Sequence, residues 1–379
     1  MFCISDIKSA SRLCGCLSLV LAILLALLPR SSAAAQSVSA VRGKLQIYFV
    51  DVEGGQATLF VTPNGQSLLI DTGWAGHNNR DADRIAAAAK RAGLKRLDYV
   101  LLTHYHGDHV GGIPQLVATI PVGTFLDHGP DDEMAPVGGW QGTKANYDAY
   151  QAVLATGKYK HISLHAGEKL PIKDLDATVV SAAGTTISQP LPGAGAANPT
   201  CGDADKDPAG FQDPDMTENG HALATVIKFG PVRILDPGDL TWDRERTLMC
   251  PVNKIGHINL YIVGNHGMAG ATSPALVYGI APQVVIMDNG ATKGGEVAAL
   301  DLIRNAPGKP VLWQLHYAQR SGDEHNTDAP LIANLDAPVG TGNTQANDKG
   351  YMLQVTVNRD GHFTVLNERT GNSQEYVAK

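Results

Sequence analysis

The stretch Tyr99-Val100-Leu101-Leu102-Thr103-His104-Tyr105-His106-Gly107-Asp108-His109 constrains the fold most. Its apolar start reads as a fully buried strand. Three imidazoles and a carboxylate then follow within six residues. A strand alternates its side chains with a period of two. An extended chain would therefore lean His104, His106 and Asp108 the same way and project His109 from the following turn. Imidazole and carboxylate are the donor set of a borderline divalent ion such as zinc. Four such groups aimed at one spot would repel or sit unsatisfied without a cation between them. The bland alternative is a solvated polar loop at a strand end.

Around this motif strands alternate with helices. Segments 45–50, 57–61 and 67–70 read as strands, the last two joined by a Pro63-Asn64-Gly65 turn. Segment 81–92 reads as an Ala-rich helix that stops at Gly93. Strand 99–103 enters the motif, 112–120 is a short helix and 122–126 a further strand. The second half repeats the style. Strands are expected at 222–229, 232–235, 258–263, 283–287 and 310–314, and helices near 241–248, 273–279 and 295–303. A hairpin of 352–357 and 363–366 closes the chain. Two stretches interrupt the pattern. Residues 129–170 are polar, with a helix expected around 144–155; residues 184–220 are rich in Gly, Pro, Asp and Asn and read as a long loop.

The first 35 residues read as a secretory signal peptide. Lys8 and Arg12 precede a sixteen-residue uncharged apolar run, Pro29 breaks it, and cleavage is expected after Ala35. The run is shorter than the roughly 20 residues a spanning helix needs. The mature protein is therefore expected in the periplasm or outside the cell, with no membrane span. Cleavage removes Lys8, Arg12 and Arg30 against Asp6, so the formal charge moves from −7 to −9. That balance argues against long nucleic acid as a partner and leaves a small molecule as the expected substrate. Cys3, Cys14 and Cys16 leave with the peptide, and the remaining pair, Cys201 and Cys250, suggests one disulfide in an oxidising compartment.

His104, His106, Asp108 and His109, preceded by Leu69-Ile70-Asp71-Thr72-Gly73, resemble the His-x-His-x-Asp-His motif and Asp-x-Gly element of the metallo-β-lactamase superfamily. The block order is also similar to the soluble hydrolase domain of bacterial competence proteins. That group has an aspartate-glycine turn after a strand (Val50-Asp51-Val52-Glu53-Gly54-Gly55), a later Gly-Asp (Asp236-Pro237-Gly238-Asp239) and a histidine-glycine block (Asn265-His266-Gly267). The resemblance implies an α/β chain folded as a four-layer αββα sandwich. Residues 36–379 would be one domain, with insertions near 129–170 and 184–220.

It also implies a binuclear centre. By resemblance His104 and His106 bind a first metal and Asp108 and His109 a second, Asp239 bridges both, and His266 completes the second site. Asp108 and Asp239 are then the catalytic carboxylates. The first site calls for a third histidine. His128, after the strand 122–126, has the right setting, with His161, His165, His221 and His257 as alternatives. Asn265 stands where that family carries a histidine, so His266 must reach from one residue later. Asp71 would orient a metal-bound histidine from behind. His316 and His325, beyond these blocks, would donate a proton or bind an anionic substrate. Two zinc ions are expected, with manganese or iron as alternatives.

The function expected is an exported metal-dependent hydrolase acting on a small phosphodiester or related ester. The alternatives are a β-lactam or lactone hydrolase, and a degenerate binding module that holds metal or ligand without turnover.

Overall fold

In the computed structural model residues 43–133, 142–202, 215–335 and 349–379 are described; the expected leader lies outside them. The strands are β1 (Leu45–Phe49), β2 (Thr58–Val61), β3 (Ser67–Ile70), β4 (Leu97–Leu101), β5 (Val122–Asp127), β6 (Lys160–Ser163), β7 (Asp176–Ala182), β8 (Thr185–Thr186), β9 (Ala224–Phe229), β10 (Val232–Asp236), β11 (Leu260–Ile262), β12 (Val284–Met287), β13 (Val311–His316), β14 (Ile332–Asn334), β15 (Leu353–Val357), β16 (His362–Asn367) and β17 (Ser373–Val377). They form two mixed sheets. One has the order β17-β16-β15-β1-β2-β3-β4-β5-β6, the other β14-β13-β12-β11-β10-β9-β7-β8.

Strand parity builds the layers. Leu45, Ile47 and Phe49 of β1 share one buried cluster with Ile234 of β10, Ile262 of β11, Ile286 of β12 and Trp313 of β13. That cluster is the inter-sheet core. The residues of opposite parity face outward. Tyr48, Leu59, Leu69 and Val100 pack with Ala82, Ile85, Ala88 and Ala89 of the helix Arg80–Arg91. On the far side Leu235, Tyr261, Val285 and Met287 pack against Leu248, Leu276, Ile280, Leu300 and Ile303, which lie on the helices Trp242–Met249, Pro274–Ile280 and Val297–Arg304. Strands buried on both faces read as continuous apolar runs, as these do. The result is two sheets face to face with helices on their outer faces.

Direction then positions the site. β3, β4 and β5 run parallel, and β1, two antiparallel steps from β3, runs the same way. β10 to β13 are also mutually parallel. In open α/β sheets ligands gather outside the carboxyl ends of such strands. Here the two sets of carboxyl ends are tied together. Gln56 Nε2 donates to Asp236 Oδ2 at 2.7 Å. His316 Nε2 lies 2.7 Å from Asp51 Oδ1.

Five strands were not expected from the sequence: β6, β7, β8, β14 and β17. β6 pairs with β5 in parallel, so the end of the segment 129–170 belongs to the sheet and only its earlier part, with the helix Lys144–Leu154, stands apart. β7 pairs with β9; its Ala, Ser and Thr residues dilute the apolar signal that marks the other central strands. Cys201 and Cys250 are joined as a disulfide, which ties the loop after β8 to the end of the helix Trp242–Met249.

Candidate metal centre

The motif histidines arrive on two kinds of backbone. β4 ends at Leu101, the chain bends at Thr103, and His106 (φ −65°, ψ 152°) caps a single helical turn, Gly107–Val110. The expected strand alternation therefore stops before the motif. Asp108 and His109 are presented by the turn.

Asp108, His109, Asp239 and His266 each aim one ligand atom into a region where all four lie within 4.8 Å of one another. All four side chains are buried. His109 Nε2 stands 3.2 Å from Asp239 Oδ1 and 3.5 Å from Asp108 Oδ2. His266 Nε2 stands 3.2 Å from Asp108 Oδ2 and 3.6 Å from Asp239 Oδ1. The two ring nitrogens face each other at 3.2 Å. His104 Nε2 lies beside the group, 3.8 Å from Asp239 Oδ2 and 3.0 Å from His106 Nδ1. His106 Nε2 continues outward to Glu133 Oε2 at 3.3 Å.

His266 reaches the centre because Asn265 and His266 both take left-handed backbone (φ 47° and 52°). Such conformations are costly for non-glycine residues and cluster at functional sites. Asp239 follows a turn organised by Asp236, whose Oδ1 accepts from Gly238 N at 3.1 Å. Burial without a cationic partner pushes the Asp236 carboxyl up to about 7. Gly55 packs directly on the Asp108 carbonyl, where a Cβ would not fit.

The charges show what the site is suited to hold. Burial works against ionising Asp239 and Asp108. The imidazoles of His109 and His266 nonetheless hold Asp239 well below the usual carboxylate range, and the Lys293 ammonium and His109 do the same for Asp108. Burial opposes a charged His109 too, yet Asp239, Asp108 and Asp71 push it well above its ordinary value. His104 goes the other way: burial, and then His109, push it down. Ionised carboxylates are thus collected around imidazole nitrogens at one buried point. Among the described residues Asp239 Oδ1 has no hydrogen-bond partner there. His109 Nδ1 is engaged by Asp71 Oδ2 at 2.7 Å, which leaves Nε2 to face the carboxylates. With the proton on that nitrogen displaced, His109 Nε2 and the carboxylates of Asp108 and Asp239 are a donor set that fits a divalent cation.

Behind His109, Asp71 accepts from Thr103 N at 2.8 Å and from Thr103 Oγ1 at 2.6 Å. Behind His266, Asp288 Oδ1 stands 3.4 Å from Nδ1. In front, Trp74, His106, Asp108, Glu133, Asn146, Asp215, Asp239, Asn265, Met268 and Lys293 are among the residues lining a cavity of about 580 Å³.

The remaining predicted residues lie elsewhere. His128 does not join the group of four: its Nε2 faces Glu218 Oε2 at 3.0 Å, and Glu218 also accepts from Tyr105 N at 3.0 Å. His161 Nε2 lies 2.6 Å from Asp127 Oδ2. His316 pairs with Asp51, with Glu53 3.8 Å away. His325 Nδ1 pairs with Asp301 Oδ1 at 2.7 Å on the helix Val297–Arg304. Asp288, Glu133, Glu218 and Lys293 were not foreseen. Asp288 and Lys293 sit in the stretch Asp288-Asn289-Gly290-Ala291-Thr292-Lys293-Gly294-Gly295, a glycine-rich turn after a buried strand, and that signal was available.

Residues 50–194 match the Metallo-beta-lactamase superfamily. A hydroxyacylglutathione hydrolase of Alkalilimnicola ehrlichii is 45% identical over 56 residues, covering 15% of this chain and 20% of that protein. An atrochrysone carboxyl ACP thioesterase of Cryptosporiopsis is 32% identical over 105 residues, covering 27% and 32%. A ribonuclease Z of Alkaliphilus oremlandii is 32% identical over 71 residues, covering 19% and 20%. The chain thus spans a fifth to a third of the length of these curated relatives. Among solved structures, the metallo-beta-lactamase fold protein YhfI of Bacillus subtilis aligns with a TM-score of 0.44 at 12% identity, over 71% of this chain and 95% of that one. The match to the metallo-β-lactamase superfamily thus covers residues 50–194, and the two mixed sheets flanked by helices, with the motif at a strand end, are those of the metallo-β-lactamase fold.

Proposed function

We propose that the protein is an exported metal-dependent hydrolase of a small phosphodiester or related ester. The observation that carries the reading is the buried group Asp108, His109, Asp239 and His266, with ligand atoms within 4.8 Å of one another beside an open cavity. Asp239 faces both His109 and His266 and is the residue suited to be shared between two cations; His104 and His106 extend the donors towards the cavity. Zinc suits these donors, with manganese or iron as alternatives. Divalent cations supply Lewis-acid polarisation and an acidified water when bound. The chain's own residues do the rest. Asp71 fixes His109 in one tautomer. Burial of the four donors keeps bulk water from competing with them.

A second reading, hydrolysis of a thioester or another acyl substrate such as a lactam or lactone, is favoured by the relatives named for hydroxyacylglutathione and thioester hydrolysis. One experiment separates the readings. Metal content and turnover are measured for wild type and Asp239→Ala on bis(p-nitrophenyl) phosphate, a chromogenic cephalosporin, a lactone and an acyl thioester. Two metals with diester cleavage lost in the variant support the first reading. Acyl cleavage alone supports the second. No turnover by metal-loaded wild type on any substrate overturns both and leaves a binding module. Export is checked by the mass of the mature chain, expected to begin at Gln36.

A further inference from the structure

The cavity in front of the metal centre is lined by acids. Asp108, Glu133, Asp215 and Asp239 all reach it. Among the described lining residues Lys293 is the one lysine or arginine. Its ammonium is ion-paired with Asp108, donates to the Gly54 carbonyl at 2.6 Å, and lies 5.2 Å from the centre of the Trp74 ring. Its side chain keeps 24% of its surface exposed.

The backbone beneath Lys293 is anchored. Gly290 N donates to the Lys293 carbonyl at 2.9 Å. Asn289 Nδ2 donates to the carbonyls of Gly290 at 3.1 Å and His316 at 2.8 Å. Gly54 packs so closely on this turn that a Cβ would stand 2.9 Å from Gly290 N. The ammonium is therefore delivered to one place, on a stem that can still move.

Asp108 is a shared group: it faces His109 and His266 as well as Lys293. Once the charge of Asp108 is turned to a cation at the centre, the partners left to Lys293 among the described residues are a neutral carbonyl and an aromatic face. An aromatic face stabilises a cation weakly compared with an anion. Among the described residues the charge then lies beside the centre with no carboxylate ion-paired to it alone.

We propose that Lys293 is the anion-binding residue of this cavity, and that the substrate carries an oxyanion, phosphoryl or carboxylate, next to the scissile bond. The substrate class rests on the hydrolase reading above; the anion site itself does not. Trp74 is the platform that keeps the ammonium beside the centre, and the surrounding acids reject anions that do not reach Lys293.

The test is anion binding by the metal-loaded full chain, followed by calorimetry with inorganic phosphate and with phenylacetate, for wild type, Lys293→Met and Lys293→Arg. Metal content is measured for each. The expected result is binding of at least one anion, weakened about tenfold or more in Lys293→Met and largely restored in Lys293→Arg, with metal content unchanged, since a charge-assisted hydrogen bond is lost and regained. Phosphate alone identifies a phosphoryl substrate, and phenylacetate alone a carboxylate. Equal binding by wild type and Lys293→Met, no binding of either anion by wild type, or loss of metal in Lys293→Met would each overturn the proposal. The last would make Lys293 an organiser of Asp108. Failure of the hydrolase reading would show separately, as no ester turnover by wild type that still binds the anion.

Discussion

Two aspartate–histidine pairs stand on opposite sides of the metal centre, and they are built differently. In the first sheet, Asp71 holds His109 Nδ1 at 2.7 Å and is itself fixed by two bonds from Thr103. In the second sheet, Asp288 stands 3.4 Å from His266 Nδ1, and both of its oxygens are buried without a hydrogen-bond partner among the described residues. One imidazole is held by its partner. The other is held by its own backbone, through left-handed Asn265 and His266. A carboxylate with several donors can fix a tautomer before any ligand arrives. A lone carboxylate at a longer distance cannot. The first sheet therefore carries the preformed half of the centre, and the second sheet the half that a cation must draw in.

The largest expected effect breaks the centre itself. Asp239→Ala removes the carboxylate that faces both His109 and His266, and should lower turnover by a factor on the order of 1,000 together with bound metal. Elemental analysis and initial rates check this; a variant with full metal and full rate would remove Asp239 from the centre. Next comes the comparison of the two pairs. Asp71→Ala should weaken metal binding by roughly 10–100-fold, and Asp288→Ala by clearly less, read by competition with a chromophoric chelator. Equal losses would erase the asymmetry. His128→Ala should leave metal content unchanged while costing about 1–3 kcal/mol of stability, because Glu218 is left buried without that donor. Denaturant unfolding beside metal analysis decides it, and lost metal would return His128 to the ligand set. The smallest effect belongs to His325→Ala. It removes one half-buried contact to Asp301, and should change stability by no more than about 0.5 kcal/mol with no change in metal content.

The same asymmetry explains what the sequence disclosed. His104, His106, Asp108 and His109 are contiguous, so a pattern of residue types at fixed spacing reveals them. Asp239 and His266 were legible only through the order of blocks along the chain. Asp288 and Lys293 become functional by position in space, on the turn after β12, and no spacing rule relates them to the motif 180 residues earlier. His128 fits the expected setting at a strand end. Its partner Glu218 is 90 residues away, and nothing local could reveal that pairing. Central strands such as β1, β3 and β12 were plain because both faces are apolar. The edge strands β6 and β17 were not, since solvent on their flanks removes the demand for apolar residues.

The Cys201–Cys250 bridge has a consequence for the unfolded chain. It closes a loop over a sequence separation of 49 residues, and that loop contains Glu218, β9, β10 and Asp239. Closing a loop of this length restricts the denatured ensemble by about 4 kcal/mol in the chain-entropy picture. A protein made where thiols stay reduced would forgo that restriction while keeping every donor of its metal centre. Its durability is in this sense fixed by the chemistry of the compartment in which it first folds.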